Sequence, residues 1–224
     1  MNVRFGMMVI GPTLTGKSTA IKTLKDGMNH IMNNGYEGTQ YNRVECEILN
    51  PKSISMDELY GCFNVMTLVW TDGLASTLIR QFVEKDTPDM KWVVFDGPVD
   101  ARWIENMNTV LDDTQTLCLS NGERLRLRNE MRMVFEVDDL SQASPATVSR
   151  CGMVYTTPNT LGWRPIVKTW IKQCPMLSEK NKEMLYDLFE IHIDNVIELI
   201  RTKNYYEPIP VFDNGYVISL CKLF

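Results

Sequence analysis

Apolar residues along this chain recur with two periods, and the switches between them mark out its elements. Phe5 to Ile10 is a short, mostly apolar run that leads into Gly11, as a buried first strand would. Ile21, Leu24, Met28, Ile31 and Met32 then recur at helical spacing until Asn33-Asn34-Gly35 supplies a stop. From Arg43 to Leu49 the pattern alternates, with Val44, Cys46 and Ile48 on one face and Glu45 and Glu47 on the other, and Asn50-Pro51 breaks it. Ser55 and Glu58 form a capping box for a helix carrying Met56, Leu59 and Tyr60. Thr71-Asp72-Gly73 precedes another helix, using Leu74, Leu78, Ile79, Phe82 and Val83. A turn at Asp86-Thr87-Pro88-Asp89 releases Lys91-Trp92-Val93-Val94-Phe95, whose unbroken apolar stretch fits a parallel strand covered on both faces.

Trp103, Ile104, Met107, Val110 and Leu111 form a further helical stripe, and a hairpin signal follows. Leu117 and Leu119 lie on one arm, Leu125 and Leu127 on the other, with Asn121-Gly122 at the tip. Met131 to Val137 and Met153 to Tyr155 complete the strands. Strands interleaved with helices predict a doubly wound parallel α/β layer with one inserted β-hairpin, covering residues 1–158. From Leu161 the spacing is helical throughout: Trp163, Val167, Trp170 and Ile171, then Leu185, Leu188, Phe189, Val196, Ile197 and Ile200, in two helices separated by Cys174-Pro175. Residues 159–224 are therefore expected to be a small α-helical subdomain. No internal repeat or low-complexity segment interrupts this order.

With 224 residues and 44% hydrophobic content, the chain can bury a sizeable core. Its net charge of -5 gives no global positive field, so neither nucleic acid nor an anionic membrane is an expected partner. The six cysteines contain no C-x-x-C pair and there are two histidines, which argues against a zinc site or a disulfide framework and for a reducing, cytosolic compartment. No apolar run approaches the ~18 residues of a membrane span, and the start lacks a signal-peptide pattern. The start lies almost on the first core strand and the end is an uncapped apolar stretch, Leu220 to Phe224, so the chain reads as a module cut from a longer polypeptide.

The chemistry sits where the first strand meets the first helix. Gly11-Pro12-Thr13-Leu14-Thr15-Gly16-Lys17-Ser18 satisfies G-x-x-x-x-G-K-[ST]. The glycines let backbone N–H groups curl around a phosphate, Lys17 can reach β- and γ-oxygens, and Ser18 can ligate Mg²⁺. A helix starting here adds its N-terminal dipole to the same anion site, and Thr19 lies in its first turn. The pattern predicts binding of ATP or ADP with Mg²⁺. Asp96, closing the apolar run at Phe95, fits the strand-end aspartate that holds the Mg²⁺ hydration shell in such proteins. Many of them place a glutamate next, to orient and deprotonate the attacking water, but here Gly97 and Pro98 follow. Asp100 and Glu105 are the nearby carboxylates that could substitute. Arg150, just before the last strand, is either a surface cation or an arginine finger aimed at a phosphate on a neighbouring module.

Gly11 to Ser18, Asn50-Pro51-Lys52-Ser53-Ile54, Leu59-Tyr60-Gly61, Trp70-Thr71-Asp72-Gly73, Phe95-Asp96-Gly97-Pro98-Val99-Asp100, Trp103 to Asp113 and Ala146-Thr147-Val148-Ser149-Arg150-Cys151-Gly152 together resemble the second AAA+ module of a dynein heavy chain, of axonemal type. The resemblance implies a P-loop AAA+ fold with an α-helical lid, within a ring of six modules in one very long chain. It implies a motor on microtubules in the axoneme of a cilium or flagellum, part of the cytoskeleton in the cytoplasm. The implied partners are neighbouring modules, the linker that the Asn121-Gly122 hairpin would face, microtubules, and dynein intermediate and light chains. It also implies that Arg150 completes the site of the preceding module in trans, that Asp138 stands at a sensor position where more active relatives carry asparagine, and that Val217 falls near the second-sensor arginine. Gly97, Asp138 and Val217 together imply a nucleotide that is regulatory or structural rather than fuel. A stand-alone ATPase or kinase and a scaffold with an empty pocket are the alternatives.

Overall fold

The computed structural model describes residues 5–35, 42–203, 207 and 209–223. The chain divides into two compact units, one of Met1–Gly11 and Gly16–Thr156, the other of Pro12–Thr15 and Thr157–Phe224.

In the first unit, β1 (Gly6–Ile10) leads through the glycine-rich loop to α1 (Lys17–Asn33), followed by β2 (Val44–Leu49). The capping box at Ser55 and Glu58 is present and starts α2 (Met56–Tyr60). Two short strands, β3 (Gly61–Phe63) and β4 (Trp70–Asp72), come before α3 (Leu74–Glu84) and β5 (Met90–Asp96). The stripe from Trp103 to Leu111 is buried along its length, but it is built as α4 (Ala101–Ile104), a 3₁₀ turn (Glu105–Met107) and α5 (Asn108–Leu111). Its apolar residues at 104, 107 and 110 are three apart, a spacing that suits the tighter 3₁₀ turn as well as the α-helix. The hairpin β6 (Thr116–Cys118) and β7 (Arg124–Arg126) precedes β8 (Met131–Val137), and α6 (Pro145–Arg150) runs into β9 (Cys151–Tyr155).

Five strands form one sheet in the order β2-β5-β8-β1-β9, with every pair parallel. Side chains alternate between its faces. Val9, Trp92, Val94 and Val134 lie with Ile21 of α1 in one buried cluster, while Met8, Ile10, Val93, Phe95, Met133 and Phe135 belong to a second, larger cluster with Trp103 and Leu59. Both faces are thus apolar, which explains the unbroken runs in β5 and β8. The alternation expected of β2 fades at its end, where Ile48 is exposed and Leu49 is buried; β2 is an edge strand with neighbours on one side only.

The β3–β4 hairpin escapes sequence reading. Each arm is three residues long, and between them Val65, Met66, Leu68 and Val69 are exposed, so apolar residues stand where polar turn chemistry would signal a tip. By contrast β6–β7 carries Gly122 at φ 87 on its tip, as its Asn-Gly pair predicts. Arg80 of α3 links the two hairpins. Its Nη2 donates to both carboxylate oxygens of Asp72 at 3.2 Å and to Glu123 Oε2 at 2.9 Å.

The second unit contains α7 (Pro158–Leu161), α8 (Arg164–Gln173), α9 (Glu179–Thr202) and α10 (Asp213–Leu223). The stripes at Trp163 to Ile171 and at Phe189 form its core with Ile193, Val217 and Cys221. Leu220 to Leu223 of the terminal apolar stretch therefore belong to α10, whose buried side faces α8. Trp163 Nε1 donates to Asp194 Oδ1 at 2.7 Å, and Arg164 bonds both Glu190 and Asp194, fastening the start of α8 to α9.

Candidate nucleotide site

Backbone conformation makes the loop between β1 and α1 what it is. A Cβ on Gly11 would come within 2.2 Å of the Thr156 carbonyl oxygen, so only glycine allows β1 to end this close to the chain after β9. Gly16 is the N-cap of α1 with φ 84, a left-handed conformation. Leu14 also has positive φ, at 70, which is uncommon for a residue with a side chain. Within the loop, Thr15 Oγ1 donates to the Pro12 carbonyl at 2.8 Å. Thr13 and Thr19 are exposed, the latter in the first turn of α1.

Lys17 is buried, and its ammonium donates to the Gly11 carbonyl at 2.5 Å and to Asp138 Oδ1 at 3.2 Å. Asp138 follows β8 directly, so the expected sensor residue is brought to the phosphate-loop lysine across the sheet. Ser18 Oγ donates to Glu136 Oε1 at 2.5 Å. Glu136 is a site residue that the sequence reading missed. The available signal was a single carboxylate inside the otherwise apolar run from Met133 to Val137, two positions beyond Val134 and so on the same face of the sheet.

Asp96 ends β5 and pairs in register with Glu136. Ser18 and Asp96 carry oxygen atoms of the hard type that suits Mg²⁺, and the hydroxyl hydrogen of Ser18 is directed at Glu136. Beyond Asp96 the geometry is restrictive. A Cβ on Gly97 would lie 3.1 Å from Asn50 Oδ1 and 3.3 Å from Pro51 Cδ. Asp100, one of the two substitutes for the missing base, is committed elsewhere: it accepts from Lys52 Nζ at 2.6 Å and, as N-cap of α4, from the Arg102 N–H at 2.9 Å. These bonds hold its carboxyl below the usual aspartate range. Glu105, the other, opens the 3₁₀ turn.

Arg150 stands apart from this group. It ends α6, a helix that the sequence reading did not single out and that starts with Ser144 as N-cap and Pro145 in the first turn, and its Nε donates to Asp112 at the end of α5. Cys151, the next residue, is in register with Gly6 at the start of β1, whereas the phosphate loop begins beyond Ile10 at the other end. Five residues of strand separate the two edges, about 16 Å at the usual rise. Val217 is buried in the core of the helical unit.

This strand order, with the phosphate loop after β1 and the acidic strand ends at β5 and β8, agrees with the family model for AAA domains of the dynein-related subfamily, which matches residues 6–151. The chain belongs to that family. Among proteins similar to this AAA domain, dynein axonemal heavy chain 6 of Homo sapiens is 47% identical over 224 residues, which is 100% of this chain and 5% of that protein. Dynein axonemal heavy chain 1 of Mus musculus is 46% identical over 222 residues, 99% of this chain and 5% of that protein. Dynein axonemal heavy chain 2 of Mus musculus is 42% identical over 223 residues, again 5% of its length. The dynein-related AAA domain described here thus corresponds to a small part of those relatives, and its fold, a parallel P-loop α/β sheet, is the one that AAA domains use to bind nucleotide.

Proposed function

We propose that this chain is the second AAA+ module in the ring of an axonemal dynein heavy chain, holding Mg-ATP in a structural or regulatory role with little hydrolysis of its own. Residues 1–158 form its nucleotide-binding subdomain and 159–224 its helical small subdomain. The observation that carries this reading is the end of β5, where Gly97 follows Asp96 and Asp100 is engaged by Lys52 and the Arg102 N–H. General-base assistance contributes typically ~10²–10⁴-fold, so a site without it should cleave a bound triphosphate more slowly by about that factor.

Gly11 to Thr19 hold the phosphates, with Lys17 as the principal cation. Ser18 and, through water, Asp96 would hold the metal, and Asp138, bonded to Lys17, would be the sensor-position residue of the nucleotide site. Bound Mg²⁺ would supply the positive charge that offsets that of the phosphates. Arg150 serves the preceding module in trans; its place at the far edge of the sheet from its own phosphate loop supports this. Neighbouring modules and the linker are the direct partners. Through the whole motor they extend to microtubules and to intermediate and light chains, in the axoneme of a cilium or flagellum.

The test is to denature protein purified in Mg²⁺ buffer and identify any released nucleotide by chromatography, then to measure turnover. ATP or ADP at near one equivalent, with a steady rate far below the ~10 s⁻¹ typical of enzymes, is the expected result. A rate near that value, surviving further purification, would show that another residue activates water.

A further inference from the structure

We propose that Glu136 is a positioning residue for the phosphate-loop serine, tuning it as a metal ligand and making nucleotide binding more dependent on Mg²⁺; this rests on the nucleotide site argued above. Glu136 lies inside β8 at 8% exposure, with Phe135 and Val137 beside it in the chain both buried. Burying a carboxylate in a sheet is costly unless it is partnered. Among the described residues, the hydrogen bond of this side chain goes to the hydroxyl of Ser18, 118 positions away. A neutral hydroxyl offsets only part of that cost, so the stability of the fold alone does not account for an acid here.

Its placement does. Glu136 is in register with Asp96 on β5 and with Val9 on β1, so it belongs to the face that α1 covers. A carboxylate beside a triphosphate site opposes anion binding on its own. It favours a divalent cation in the same place. By accepting the hydroxyl hydrogen, Glu136 fixes the rotation of Ser18 Oγ and leaves its lone pairs for a metal, while raising the electron density on that oxygen. Outer-shell partners of this kind typically alter metal affinity about 10–100-fold when removed.

Two effects of opposite sign follow, and a merely structural role produces neither combination. Calorimetry of ATP binding to the 224-residue chain, in EDTA and in Mg²⁺, separates them. Glu136→Gln keeps the shape and removes the charge. It should strengthen metal-free binding several-fold and cut the gain on adding Mg²⁺ by about tenfold or more. Glu136→Asp keeps the charge but shortens the reach to Ser18. It should not strengthen metal-free binding as glutamine does, yet it should still reduce the Mg²⁺ gain, and it decides the matter if the glutamine variant does not fold. A wild-type Mg²⁺ gain in both variants, or parallel weakening in both buffers, would overturn the role of Glu136 while leaving the nucleotide site standing. No ATP binding by the unsubstituted chain in either buffer would overturn the site itself, and this inference with it.

Discussion

The ammonium of Lys17 and the carboxylate of Asp138, 121 positions apart in sequence, meet at 3.2 Å. The parallel sheet makes the meeting inevitable: β1 and β8 are neighbours in register, so the helix that follows one and the residue that follows the other emerge at the same edge. Asp138 is well exposed, so the pair itself contributes little to stability. Its importance lies in what it does to the lysine, which it holds beside the Gly11 carbonyl at the mouth of the loop.

Lys17→Ala should therefore weaken ATP binding markedly. Loss of charge-assisted bonds worth about 1.5–3 kcal/mol corresponds to a rise in Kd of roughly ten- to more than a hundredfold. Titration calorimetry in Mg²⁺ reads it directly, and an unchanged Kd would remove this loop from the nucleotide site.

Arg150→Ala should leave the ATP affinity of this chain nearly unchanged, because the guanidinium bonds Asp112 and the residue's backbone lies at the end of the sheet opposite its own phosphate loop. In an intact motor the same change should collapse microtubule-stimulated ATPase, since an arginine finger contributes ~10³–10⁵-fold to phosphoryl transfer. Normal motor turnover with this substitution would return Arg150 to a surface role.

Phe135→Ala should be among the most damaging changes to the fold. The ring is fully buried, 5.4 Å from Phe95 and 6.0 Å from Trp103. Loss of an aromatic side chain from such a core costs about 3–5 kcal/mol. Urea unfolding should show a much lower midpoint with a similar slope; a shift within experimental error would mean that the three rings do not cooperate.

Acid should expose the bond between Asp100 and Lys52. The Lys52 ammonium, and then the Arg102 N–H, hold the Asp100 carboxyl below its ordinary 3.8, so the folded state binds its proton less readily than the unfolded chain does. The stabilisation is present above 3.8 and is lost as pH falls through the lower folded value. Asp100→Asn should be less stable than the wild type at pH 7, and the difference should narrow below pH 4. Thermal melts across that interval test it, and a gap that widens in acid would contradict the assignment.

Much of this was written in the chain where a local rule and the tertiary structure agree. The phosphate loop, the Ser55–Glu58 capping box and the Asn121-Gly122 tip each depend on residues a few positions apart, so each is readable in sequence. The strands β5 and β8 are legible because burial on both faces demands unbroken apolar runs. Glu136 was not, because its meaning comes from Ser18 on another element and from the register with Asp96. Nor was the engagement of Asp100 and Arg150 by Lys52 and Asp112, since nothing in their own neighbourhoods specifies a distant partner. The β3–β4 hairpin was hidden for a different reason, an exposed tip of valine, methionine and leucine that contradicts ordinary turn composition.

Arg80 gives the two hairpins a common anchor. Held by Asp72 at the base of one and by Glu123 near the tip of the other, its guanidinium ties both to the same helix, α3. A push on either projection is therefore felt by its companion without passing through the central sheet, and the pair should tilt together as a two-pronged fork. Salt, which partly screens this half-buried junction, would loosen the prongs from each other before it reached the strands of the central sheet.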